Sequence, residues 1–285
     1  MDDVLRGARL LLGDDPEIVD DLEVSGGPRT GTYVWDNGWD QARRRLAALE
    51  HSYDPGTISH LERLGVGPGW RCLEVGAGGG SITAWLCARV APGGEVVAVD
   101  LDTRFVEELD APNLDVRRLD VVTDDLPAGG FDLVHVRVLL MHLHAREAVL
   151  DKLLACLAPG GWLLVEEFDS FGLAAHPDDA YTQAWRLSSA GMAEAGFAPT
   201  WARQLPGWIA STGLVDTGDH CEVAFFRGAS RLAELMQLTL AQAEDHALAA
   251  GASEDLLAEA VALLSDEERW FPSFAVISVW GRRPG

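Results

Sequence analysis

The chain is poor in basic residues: 22 Lys and Arg stand against 45 Asp and Glu, a formal charge of −23. Affinity for phosphate backbones and anionic headgroups rests largely on Lys and Arg, so nucleic acid and membrane surfaces are set aside as partners. The acidity reads as a solvated surface, and no substrate is drawn from it. Cysteine is scarce too. Cys72, Cys87, Cys156 and Cys221 lie far apart with no CxxC pair, which suggests neither a zinc site nor a disulfide framework and fits reduced thiols in a cytosol. The start, Met1 to Gly7, lacks a basic stretch followed by an apolar one, and no run of about 20 apolar residues occurs. Internal repeats and low-complexity segments are absent as well. What remains is a globular, cytoplasmic protein whose 48% hydrophobic content suffices for a packed interior.

From Trp70 onward, short β-rich runs alternate with longer helical patterns, the signature of βαβ units and a parallel sheet. Strands are predicted at Arg71–Val75, Glu95–Asp100, Leu114–Leu119, Phe131–Val136 and Gly161–Phe168, with helices at Ser81–Val90, Thr103–Leu109 and Arg146–Leu157. Upstream, Gln41–Glu50 is amphipathic, and Asp54 followed by Pro55 reads as a cap and first residue of a second helix. Downstream, helices are expected at Pro177–Ala195, Pro206–Thr212, Ser230–Ala250 and Glu254–Leu264, with strands at Cys221–Phe226 and Phe274–Trp280. That is more chain than the sheet needs, so an extra layer is expected.

The first strand runs into Glu74-Val-Gly76-Ala-Gly78-Gly-Gly80 and then a helix. Glycine permits both the turn and the close approach of a ligand. In an open α/β sheet this crossing lies at the switch point where ligands bind, beside a helix N-terminus. The second strand ends in Asp100, a carboxylate that can accept both ribose hydroxyls of an adenosine ligand, and the third ends in Leu119-Asp120-Val121. Asp120 either meets the adenine edge or caps the next turn. A nicotinamide fingerprint shares the glycines and the acid, but its third glycine position is Ser81 here.

Together, Leu73-Glu-Val-Gly-Ala-Gly-Gly-Gly80, Val99-Asp-Leu-Asp102, Asp120-Val121, Phe131-Asp-Leu-Val-His135 and Leu157-Ala-Pro-Gly-Gly-Trp-Leu-Leu-Val-Glu166 resemble the motif series of class I S-adenosylmethionine-dependent methyltransferases. The likeness is to the small-molecule branch of ubiquinone/menaquinone-biosynthesis enzymes and bacterial enzymes that tailor secondary metabolites. It implies an α/β, Rossmann-like core with a mostly parallel seven-stranded sheet whose last strand is antiparallel. It also implies three regions: an N-terminal helical lid over 1–64, the cofactor core over 65–170, and a helical cap with the last strands over 171–285. By the same resemblance S-adenosylmethionine is the cofactor and S-adenosylhomocysteine the product. Gly76, Ala77, Gly78 and Gly80 would flank the methionine and ribose. Asp100 and Leu101 would meet the ribose, Asp120 and Val121 the adenine, and Arg137 the rim, while Glu74 supports the loop. Tyr33 and Trp39 are candidates for a cover from the N-terminal segment, or for core packing.

Methyl transfer from a sulfonium needs no protonation of the leaving group, so the work is mainly to position the acceptor. If the acceptor carries a removable proton, His142, beyond the fourth strand, is the first candidate base, with loop orientation as its other reading. Glu167 and Asp169 share a side at the end of the fifth strand and are candidates for acceptor contact, or for capping. No metal-ligand set is found at suitable spacing. Aromatic and Met residues of the extra layer, among them Trp185, Phe197 and Met236, form core or line a pocket for an apolar or aromatic small molecule. The enzyme is read as a monomer or homodimer. The alternative is a protein that keeps the cofactor but does not transfer the methyl, such as an isomerase, a cyclase or a binding module.

Overall fold

The computed structural model describes residues 34–174 and 179–285. Its first element, α1 (Ala42–Leu64), is one continuous helix with Pro55 inside it, where the sequence suggests two. Pro55 forfeits one backbone bond within the helix, but the residues around it are fastened to the core: Asp54 pairs with Arg137 at 2.8 Å, and Thr57 and His60 bond to Glu166. Asp54 is therefore an ion-pair partner and not a cap. The helix ends at Gly65, whose left-handed φ of 85° no other residue adopts as cheaply.

The sheet comprises β1 (Arg71–Val75), β2 (Glu95–Asp100), β3 (Leu114–Arg118), β4 (Phe131–Arg137), β5 (Leu157–Asp169), β6 (Val215–Arg227) and β7 (Trp270–Arg282). Their order is β3-β2-β1-β4-β5-β7-β6. The first five run parallel, and β7 is antiparallel to both β5 and β6. Helix α2 (Ser81–Val90) follows β1 and α3 (Arg146–Cys156) precedes β5. The expected helix at Thr103–Leu109 is only a 3-10 turn, Val106–Glu108. The turn stops where Leu109 takes up extended backbone, with φ −73° and ψ 125°.

Strand alternation sends Leu73, Val75, Val97 and Val99 to one face, against Leu150 and Leu153 of α3, and Cys72, Val96, Leu133 and Leu164 to the other, against α2 and Leu61 of α1. Beyond β5 come the one-turn helix α4 (Phe171–Ala174), α5 (Ala180–Met192), α6 (Leu205–Ser211), α7 (Arg231–Gln242), α8 (Glu244–Ala249) and α9 (Glu254–Ser265). Asp179, Ser230 and Ser253 cap α5, α7 and α9 through their side chains. Helices α4, α5, α7, α8 and α9 enclose an aromatic cluster with Phe168, Phe271 and Phe274, whereas Leu205 and Ile209 of α6 pack on the face of the sheet that α3 covers. The span expected as one helix, 230–250, breaks at Ala243 into α7 and α8.

Strands β6 and β7 are each 13 residues long, well beyond the expected segments. β6 is a largely exposed edge strand, so its polar first half, Val215 to His220, joins the sheet without an apolar signature. Among the described residues no helix is long and apolar enough to cross a membrane.

Candidate active site

The glycine loop leaves β1 at the sheet's C-terminal edge. Gly76 and Ala77 donate their amides to the Val99 carbonyl of β2, at 2.8 and 3.3 Å. Gly76, Gly78 and Gly80 have φ of 76°, 55° and 90°, in the region that glycine alone occupies without strain. Space is short as well: a Cβ on Gly76 would stand 3.2 Å from the Leu139 side chain. Asp100 Oδ2 accepts the Gly78 amide at 2.8 Å and Oδ1 that of Asp102 at 3.0 Å. Burial raises the Asp100 pKa against these two bonds, which lower it.

A cavity opens over this loop. Glu74, Gly76, Ala77, Gly78, Asp100 and Leu101 line it, and Asp120, Val121 and Arg137 continue its wall. Asp120 also takes the Val122 amide at 2.8 Å, so a turn-capping bond and a place in the wall coexist. Gly80 is not part of that wall; it sits against Leu109 and Val106 and shapes the start of α2. Tyr33 lies outside the described residues. Trp39 does not reach the cavity, whereas Trp35 does. Trp39 instead begins the turn that leads into α1, its carbonyl accepting the Ala42 amide.

Away from the loop the cavity widens into an aromatic chamber walled by Trp35, Phe168, Trp185, Phe197 and Phe274. His142 lines this chamber from the 3-10 turn Leu140–His142. Its ring stacks on Phe197 at 5.3 Å, and its Nδ1 accepts the Trp35 indole N–H at 3.2 Å. An indole N–H only donates, so the proton of the neutral imidazole sits on Nε2. Burial, with the nearby Arg45 and Arg146, pushes the His142 pKa down to about 3.

Glu167 and Asp169 lie outside the cavity wall. The Glu167 carboxylate accepts the amides of Leu139, Leu140 and Met141 at 3.0, 2.7 and 3.3 Å and so holds the turn that carries His142. Burial outweighs those bonds and lifts its pKa to about 7. Asp169 binds Arg203 at 2.6 and 2.9 Å and takes the Phe171 amide at 2.8 Å. Among the described residues no group of three or more His, Cys, Asp or Glu side chains is arranged to hold a metal ion.

Behind the loop lies a buried polar layer. Glu74 and His135 are register partners on β1 and β4, with His135 Nδ1 2.8 Å from Glu74 and Nε2 3.3 Å from Glu166. Glu166 also takes Thr57 at 2.6 Å, His60 at 2.7 Å and Ser278 at 2.9 Å. Burial disfavours charge on His135, but Glu74 and Glu166 outweigh it and raise the pKa to about 9; these contacts hold Glu166 well below the usual carboxylate range. Arg137 joins the layer to the cavity: its guanidinium donates to Thr57 at 3.0 Å and Asp54 at 2.8 Å.

Helix α1 supplies wall residues that sequence reasoning passed over: Arg45, Leu46, Leu49 and Glu50. Their four-residue spacing puts them on one face, and only the amphipathic period of that stretch hinted at it.

Residues 73–163 match a family model described as a methyltransferase domain. Methyltransferase str2 of Strobilurus tenacellus is 31% identical over 128 residues, 44% of this chain and 45% of that protein. The ubiquinone/menaquinone biosynthesis C-methyltransferase UbiE of Ectopseudomonas mendocina is 33% identical over 132 residues, 43% of this chain and 52% of its own. The chain thus spans about half the length of the curated relatives it matches. Among solved structures, the YcgJ protein of Bacillus subtilis superposes with a TM-score of 0.54 at 15% identity, covering 79% of this chain and 97% of that one. That likeness is one of fold.

Proposed function

We propose that this protein transfers a methyl group from S-adenosylmethionine to an O, N or C atom of a small apolar or aromatic molecule. One observation carries the reading: a glycine loop tied to a strand-end carboxylate, Gly78 to Asp100 at 2.8 Å, opens into an aromatic-walled chamber within one cavity. The matched methyltransferase domain and the two relatives support it. The residues fit the cofactor, since bare backbone at Gly76 and Gly78 faces the cavity and two acidic strand ends, Asp100 and Asp120, border it.

S-adenosylmethionine supplies a sulfonium-bound methyl open to in-line displacement. Asp100 would hold the ribose hydroxyls, Asp120 and Val121 would border the adenine, and the glycine-rich stretch Gly76 to Gly79 would let the methionine end lie close to the backbone. Arg137 lies at the rim, held by Asp54 and Thr57. The chamber positions the acceptor, which dominates the rate of such a transfer. His142 serves as a neutral imidazole that orients the acceptor; it can take a proton at Nδ1 only when Trp35 releases that nitrogen. Glu167 and Asp169 act through the segments they hold. In this reading the acceptor is a secondary-metabolite intermediate and the enzyme works in the cytoplasm, in keeping with free cysteines at 72, 87, 156 and 221.

Calorimetry with S-adenosylmethionine and S-adenosylhomocysteine tests the cofactor: binding is expected, weakened by Asp100→Ala. Methyl-labelled cofactor tests the transfer. Label that stays on the cofactor while the acceptor is altered would overturn transfer in favour of an isomerase or cyclase.

A further inference from the structure

We propose that Glu50 is the residue that receives the α-ammonium of the cofactor's amino-acid end, so that α1 is a binding element for the cofactor and not only a cover. The inference rests on the methyl-transfer reading for the identity of the cofactor.

Glu50 projects from α1 onto the glycine loop and lines the cavity. Its carboxylate fills the place that a side chain at position 79 would claim: a Cβ on Gly79 would come within 2.2 Å of Glu50 Oε1 and 3.0 Å of its Cδ. The Glu50 carboxylate thus lies directly against the loop at Gly79.

The surroundings of that carboxylate suit a cation. Among the described residues no Lys, Arg or His side-chain nitrogen forms an ion pair within 4.0 Å of the Glu50 carboxylate. Burial, with Asp54 one turn along the same helix, makes its charge costly, while bonds from Ser81 of α2 and the more distant Arg137 of β4 favour it. An incoming ammonium relieves the cost that burial and Asp54 impose.

Placement along the ligand agrees. Asp100 stands on the β2 side of the loop and binds the Gly78 amide, while Glu50 stands over the next residue, Gly79, on the α1 side. A ribose at Asp100 therefore directs the amino-acid end toward α1. There Arg137, its charge partly met by Asp54, offers a cation for the carboxylate of the same zwitterion.

Two probes separate this role from mere support of the loop. S-adenosylhomocysteine carries the ammonium and no sulfonium; 5′-methylthioadenosine carries neither, yet keeps the adenosine. Titration calorimetry is run on the wild type, Glu50→Gln and Glu50→Asp, with melting curves of each unliganded protein to establish that it is folded. Glu50→Gln is expected to weaken S-adenosylhomocysteine about tenfold or more, as loss of one charge-assisted hydrogen bond implies, and to leave methylthioadenosine within about twofold. Glu50→Asp, which keeps the charge on a shorter arm, should lose less. Equal losses for both probes, or no loss for either in folded variants, overturn the assignment and leave the methyl-transfer reading standing. A wild type that binds neither probe overturns both.

Discussion

Asp100 and Gly78 form the joint between β2 and the middle of the glycine loop, a carboxylate-to-amide bond of 2.8 Å. In the proposed function the same carboxylate holds the ribose, which would make loop shape and sugar recognition depend on a single side chain. Asp100→Ala is expected to lower affinity for S-adenosylhomocysteine about 10- to 100-fold, the range for losing hydrogen bonds to a charged group. Asp100→Asn, which keeps one acceptor oxygen, should lose less. Calorimetry on both variants gives the comparison.

His142 should remain uncharged across the physiological range. Its folded pKa, about 3, lies below the value near 6.5 of the unfolded chain. As pH falls below 6.5 the unfolded state takes up a proton that the native state refuses, so stability present above 6.5 is lost toward pH 3. His142→Phe should flatten that acid loss in urea titrations between pH 4 and 7, and imidazole NMR signals should show no titration of His142 above about pH 4.

His135 has the opposite sign. Its folded pKa of about 9 lies above the unfolded value, so its contribution is full below about pH 6.5 and is lost as pH rises toward 9. The separation corresponds to roughly 3 kcal/mol at most. His135→Gln should therefore be less stable than wild type at pH 6, with the gap closing by pH 9. A gap that persists unchanged would show that the ring is held by packing alone.

Glu167 holds the three amides of the 139–141 segment. Glu167→Ala strands buried donors, at a cost of about 1–3 kcal/mol for each one left unmet. It also frees the turn that presents His142 to the chamber. Urea denaturation should show the loss of stability, and turnover with any accepted substrate should fall more than S-adenosylhomocysteine affinity does. Glu167→Gln, which can still accept, should be the milder variant in both measurements.

Local chemistry made part of this molecule legible in its sequence. β1, β2 and the glycine loop announce themselves by alternation and by bare backbone, and the period of two correctly separates Glu166 from Glu167, which meet partners on opposite faces of the sheet. Residues whose roles come from distant contacts were not legible. Pro55 obeys its local rule less than it obeys the ties of Asp54, Thr57 and His60 to the sheet. Trp35 and Glu50 have no neighbours in sequence that betray their positions; the first is fixed by His142, 107 residues away, and the second by bonds from Ser81 at the start of α2. β6 extends beyond its apolar segment because an edge strand tolerates polar residues on both sides.

The unbroken course of α1 has a mechanical consequence. At 23 residues it is a rod about 34 Å long. Arg45, Leu46, Leu49 and Glu50 stand at the cavity, while Asp54, Thr57 and His60 grip Arg137 and Glu166 further along the same rod. Two separate helices could settle independently on the two sites. A single one moves as a unit, so any tilt of the half anchored at Arg137 and Glu166 would carry Arg45 and Glu50 with it.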